Sequence, residues 1–213
     1  MADPTPKERN RQSEPETKPA KKKRPPMTRE ARRRQTTWII TAVLALAAIV
    51  TAVVLAQDGS GTSDVDAADL GQDERPVGLD EQTLREFAML HEGPIYWAGP
   101  RADTTYELTV TEVGDIFIRY LPLGVAVGNQ QPDFLTVATY TRPDAYQALV
   151  EVSLGDQFVS EETASGALVV YANTEPTSAH FSFPDTTIQV EVFDPAPNRA
   201  VSLVLDGSIT LLG

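Results

Sequence analysis

From Trp38 to Ala56 the chain reads WIITAVLALAAIVTAVVLA, nineteen positions with no charge and only two threonines. At about 1.5 Å of rise per residue this run makes a helix of roughly 28 Å, close to the ~30 Å hydrocarbon thickness of a bilayer. Ten of its residues are Leu, Ile or Val, each favouring insertion by about 0.3–0.6 kcal/mol. A helix also satisfies every backbone group of a single segment in lipid. The pattern therefore predicts a transmembrane helix over 38–56, with Trp38 at the headgroup layer. A cleaved signal peptide is the rival reading, because Val54-Leu55-Ala56 is an acceptable cleavage site. Its apolar core would be only about 7–15 residues long. The longer core and the basic lead over residues 1–37 favour a retained anchor.

Past the anchor the pattern changes twice. Residues 57–78 are polar, acidic and glycine-containing and read as a flexible linker. Apolar positions resume at Leu79, where the folded domain is expected to begin and run to residue 213. Asp80 suits an N-cap, and Leu84, Phe87, Ala88 and Leu90 predict one side of a helix that Gly93-Pro94 ends. Ile95–Trp97 reads as a short strand, and Tyr106–Thr111 with Ile116–Tyr120 as a hairpin around Gly114-Asp115. Leu135–Tyr140 is a further strand, followed by a helix from Pro143 through Ala145, Tyr146, Leu149 and Val150.

A similar order then recurs. Ala167–Tyr171, Ala179–Phe183 and Thr187–Phe193 read as strands. Pro195 and Pro197 lead into a helix through Ala200, Leu203 and Val204, and Ile209–Leu212 closes the chain as a strand. The expected fold is α+β: a mainly antiparallel sheet with helices on one face, built on a duplicated β-β-β-α unit.

Charge sorts the same regions. Residues 1–37 carry twelve Lys/Arg against five Asp/Glu, with almost no apolar side chains. Such a segment cannot offset its ordering entropy by burial and is expected to be disordered. Arg29, Arg32, Arg33 and Arg34 precede the anchor, and no Lys or Arg follows it before Arg75. The positive-inside rule then places the N-terminus in the cytoplasm and the domain outside. Residues 57–213 hold six Arg, no Lys and twenty-five Asp/Glu. That balance repels nucleic acid, so none is expected as a partner. The chain has no cysteine, so the exterior domain must rest on its own core.

The inventory removes several chemistries. Without Cys, or Lys beyond the anchor, there is no thiol nucleophile and no exterior Ser–Lys dyad. His91-Glu92 begins like a zinc-protease motif, but Gly93-Pro94 breaks the helix it needs. His91 and His180 read as satisfied or surface histidines, and no metal, cofactor or catalytic group is assigned. Tyr96, Trp97, Arg119 and Tyr120 are the candidate recognition residues, since Trp and Tyr offer flat amphipathic faces. The competing role for these aromatics is core packing. Two functions follow as expectations. One is a membrane-tethered binding module for an envelope component or another membrane protein. The other is an extracytoplasmic hydrolase that cleaves cell-wall carbohydrate with a carboxylate pair. Ala48, Ala52 and Ala56 have the small-residue spacing that lets two membrane helices approach, although six alanines in nineteen positions produce it readily.

The Arg32–Arg34 stop before an Ala/Val/Leu helix, the Lys-free exterior and Gly93-Pro94-Ile95-Tyr96-Trp97-Ala98-Gly99-Pro100 together resemble single-pass, membrane-anchored envelope proteins of actinobacterial (high-GC Gram-positive) type. The resemblance covers most of the chain and implies a location, without an activity.

Overall fold

The computed structural model describes residues 75–213. The tail, the Trp38–Ala56 segment with its alanine spacing, and most of the linker lie outside the described residues. Among the described residues no helix is long and apolar enough to cross a membrane.

The described chain is an antiparallel, sheet-rich α+β domain with few helices. It begins with β1 (Val77–Leu79), α1 (Glu81–Leu90), β2 (Tyr96–Trp97), β3 (Thr104–Val110) and β4 (Ile116–Pro122). Next come β5 (Thr136–Thr141), α2 (Ala145–Ser153), β6 (Phe158–Glu162), β7 (Leu168–Ala172) and β8 (Ser178–Ser182). It closes with β9 (Ile188–Phe193), α3 (Arg199–Leu205) and β10 (Thr210–Leu211). Eight strands form one sheet in the order β1-β3-β4-β5-β9-β8-β7-β6, and β10 pairs with β2 in a small ribbon. The order is symmetric about the central β5–β9 pair, in which Val137 faces Val192.

Local chemistry accounts for the boundaries. Asp80 caps α1 by accepting the Thr83 N–H at 2.8 Å, which serves one orphan donor of the first turn. That bond holds the Asp80 carboxyl below its ordinary pKa. The β3–β4 turn needs a left-handed residue, and Gly114 supplies it at φ 81°. The cap supports a prediction. Asp80→Ala should cost about 1 kcal/mol at neutral pH. Because the folded-state pKa is lowered, the stabilisation is complete above the unfolded value of about 3.9 and is lost as pH falls through the folded one. The gap in urea midpoint between wild type and variant should therefore shrink between pH 7 and pH 3.

Strand alternation divides the buried residues between two faces. On the first face Leu108, Ile118, Val137, Val192, Phe181 and Val169 meet Leu84 and Phe87 of α1 and Ala200, Leu203 and Val204 of α3 in one core. The β2–β10 ribbon closes this layer over β5, where the Tyr96 N–H donates to Thr139 Oγ1 at 3.1 Å. Val170, beside Val169 on β7, points the other way and is also buried. That side is covered by α2, which packs on β6 to β9 through Ala145 and Leu149. The helices therefore lie on both faces rather than one. The β-β-β-α order does occur twice, as β3-β4-β5-α2 and β7-β8-β9-α3. The helices that end these two runs go to opposite faces, α2 to the second and α3 to the first, which it shares with α1 and the β2–β10 ribbon.

The other half of the second face is covered by the loop between β4 and β5. Glu107 Oε2 accepts the Gly128 N–H at 2.5 Å, and Arg119 donates to the Gln131 carbonyl at 3.0 Å. Val127 seats on Gly78 so closely that a Cβ there would meet its Cγ2 at 2.5 Å. Only glycine lets the loop lie this near the sheet.

Register defines two ends. Val77 faces Leu108, and β1 runs antiparallel to β3, so the chain enters beside the β3–β4 turn. This is the root end. At the far end lie the start of β3, the finish of β4, the start of β5 and the finish of β9, where Thr104 faces Pro122 and Thr136 faces Phe193.

Candidate functional site

The far end holds a groove of about 470 Å³ between the β3–β4 edge and the β9 exit. Tyr120, Leu123, Phe134 and Pro195 give it apolar walls, and Arg101, Asp103, Asp133 and Asp194 give it charge. Its walls are held by contacts within the lining and from Ala98 and Arg119 behind it. The Arg101 guanidinium lies 5.2 Å from the Tyr120 ring centre, and Arg119 lies 5.4 Å from that of Phe134, both within cation–π range. The Ala98 N–H donates to Tyr120 Oη at 2.6 Å. Burial pushes the Tyr120 phenol well above its ordinary pKa, so it stays neutral. Leu123 donates its N–H to the Asp103 carbonyl at 2.9 Å, which closes one rim. Asp103 turns that corner with φ 53°, a left-handed conformation that Asp tolerates.

The four residues singled out by sequence do not form one exposed face. Trp97 is 3% exposed, with the Arg85 guanidinium 4.5 Å over its ring. Tyr120 is buried edge-on to Tyr106, ring centres 5.3 Å apart, and only its rim reaches the groove. Tyr96 is half-buried against Phe181. Arg119 points to the opposite face of the sheet, into Glu107. Tyr120 and Arg119 nonetheless both bear on the groove, one as lining and the other through Phe134.

Arg101, Asp103, Leu123, Asp133, Phe134 and Asp194 were not legible as site residues. They sit at strand ends and in turns, and long-range register alone brings them together. The nearest signal was the turn chemistry of Gly99-Pro100 and Asp194-Pro195, which marks corners without saying which corners meet.

Among the described residues four carboxylates are buried, and each is engaged by the protein itself. Glu107 takes Arg119 and the Gly128 N–H. Asp115 takes both terminal nitrogens of Arg142, at 2.8 and 2.7 Å. Glu191 accepts the Tyr140 hydroxyl at 3.0 Å, with His180 Nε2 3.9 Å away. Burial and the facing Glu191 hold the Tyr140 phenol far above its usual pKa. Asp194 Oδ1 accepts the Ala196 N–H at 2.9 Å, while Oδ2 lies 3.5 Å from Arg199. His91 stacks on Phe87 at 5.5 Å. Among the described residues no three His, Cys, Asp or Glu gather in a way that could hold a metal ion.

A second, smaller cleft of about 220 Å³ lies on the first face among Tyr96, Phe181, Phe183, Val204 and Ile209. It is mainly apolar, with Thr163, Ser165 and Asp206 also lining it, whereas the far-end groove combines aromatic walls with four charged side chains, as recognition sites do. No protein-family model, curated protein or solved structure matches this chain.

Proposed function

We propose that the protein is a membrane-tethered, extracytoplasmic binding module whose far-end groove holds a polypeptide segment of an envelope or membrane partner. The segment would carry a basic side chain beside an apolar one. The observation that supports this reading is the division of labour among the acids. Glu107, Asp115, Glu191 and Asp194 are engaged internally. Asp103 and Asp133 instead stand exposed beside the Tyr120, Phe134 and Leu123 walls. A cation can pair with the rim while an apolar neighbour covers the rings. The tether, its orientation and the cytoplasmic N-terminus rest on the apolar run and the arginines before it. We also infer that the two β-β-β-α runs are copies of one unit, on the strength of the strand order around β5–β9.

A photo-crosslinking side chain in place of Leu123 should give a discrete adduct in intact membranes. Asp133→Lys should abolish that adduct, and the same group in place of Leu154, outside the groove, should give none. Equal labelling from both positions would overturn the groove assignment.

One observation favours a second reading. Asp103, Asp133 and Asp194 all line the groove, and paired carboxylates could serve cell-wall carbohydrate hydrolysis. Against it, both Asp194 oxygens already have protein partners. Release of reducing sugar from cell-wall fragments by purified protein, lost in Asp133→Asn, would establish the hydrolase instead.

A further inference from the structure

The groove occupies the end of the sheet farthest from where the chain enters, and the root end has a different surface. Val113 at the tip of the β3–β4 turn is 73% exposed, Met89 and Leu90 at the end of α1 are 72% and 65%, and Leu211 on β10 is 54%. Register puts three elements at one level. Leu211 faces Tyr96, the Tyr96 N–H bonds Thr139, and Thr139 faces Ile116, the first residue after the turn that carries Val113. α1 packs on β1 and β3, and five residues after Leu90 the chain reaches Ile95 at this end, beside the Tyr96–Leu211 pair, so Met89 and Leu90 lie close to it. The Leu212 N–H donates to the Ile95 carbonyl at 2.8 Å, tying the C-terminus in beside them.

We propose that this root end rests on the bilayer, with Met89, Leu90, Val113 and Leu211 seated at the boundary between headgroups and acyl chains. The proposal depends on the tether reading above. Residues 57–74 are all that separate the 38–56 segment from the described fold, and eighteen residues reach at most about 60 Å even fully extended. The chain joins the fold beside Val113, so the root end is the surface the tether delivers first. Apolar side chains on three separate elements are suited to the interfacial layer, where such groups leave water without crossing the membrane. Tethering raises the local concentration of the surface, so a contact too weak to hold a free domain can hold this one. The occupant is uncharged lipid. Glu92, Glu112, Asp115 and Asp185 outnumber Arg75 and Arg142 at this end, and an anionic headgroup layer would repel the net negative charge. A bilayer contact here also turns the groove outward, toward its partner.

The chain contains no cysteine, so single-cysteine labelling needs no background removal. The full chain is reconstituted in phosphatidylcholine vesicles carrying a nitroxide near the top of the acyl chain. Fluorophores go on Val113→Cys or Leu211→Cys, with Leu123→Cys and Leu154→Cys as controls, all at exposed positions that leave the core intact. The expected result is at least twofold stronger quenching at 113 and 211 than at 123 and 154. Replacing a third of the lipid with phosphatidylglycerol should weaken it. Equal quenching at all four positions, in protein that stays with the vesicles through an alkaline wash, would overturn this inference and leave the tether standing. Loss of the protein in that wash would overturn both. Quenching between labels on different chains, with none from the lipid, would assign the surface to a second copy and overturn the lipid contact.

Discussion

Arg119→Ala is expected to lower stability by about 3–5 kcal/mol. Glu107 is 2% exposed, and its carboxylate meets Arg119 at 2.5 Å beneath the β4–β5 loop. Removing the guanidinium leaves a buried charge with one backbone N–H, from Gly128, to hold it. The loss should be large because the remaining charge stays desolvated, not because the pair itself is strong. The double variant Arg119→Ala, Glu107→Gln separates these causes. A Gln oxygen still accepts from Gly128 and no charge remains, so the double variant should lose less than Arg119→Ala alone. A double-mutant cycle on urea midpoints measures the difference. The same substitution frees the Gln131 carbonyl and removes the cation over Phe134, so crosslinking from position 123 should fall as well. A loss under about 1 kcal/mol would mean that Glu107 behaves as a surface ion pair, and the loop would not be pinned as described.

Trp97→Ala should cost a similar amount, about 3–5 kcal/mol, through the cavity it leaves. The indole is 3% exposed, tilted against Tyr106 at 6.1 Å and covered by Arg85. It also belongs to the ribbon that closes the first-face core, where Trp97 pairs with Thr210. Trp97→Phe keeps much of the volume and should lose less. The prediction tests two roles that sequence alone could not separate. If Trp97→Ala kept the wild-type midpoint in thermal unfolding while the groove adduct disappeared, Trp97 would be a recognition residue and its place in the core would be wrong.

The central elements were readable because their side chains announce them. Ile116 and Ile118 against Leu108 and Val110, and Val190 and Val192 against Val137, alternate strongly enough to predict strands and their buried face. The elements that escaped were the outermost strands of the sheet, β1 and β6. β1 has three residues and begins inside the expected linker, while β6 ends in Ser160-Glu161-Glu162, all exposed. Edge strands need only one partner and are kept short or charged, so their pattern is weak by construction. Leu90 misled in the opposite sense. It has the spacing of a core residue, yet in the last turn of α1 it lies outside the core, 65% exposed.

Sequence by itself determined the separation of a basic lead, an apolar nineteen-residue run and an acidic, cysteine-free domain, because charge and hydropathy need no partner to be read. It also determined the Asp80 cap and the Gly114 turn, whose causes lie within four residues. Only the tertiary structure decided which aromatics are covered, that α2 lies opposite α1 and α3, and that Arg101, Tyr120, Phe134 and Asp194 share one groove. Those facts depend on register between strands far apart in the chain. A shift of a single residue would turn every side chain of a strand to the other face, and no local pattern contains that choice.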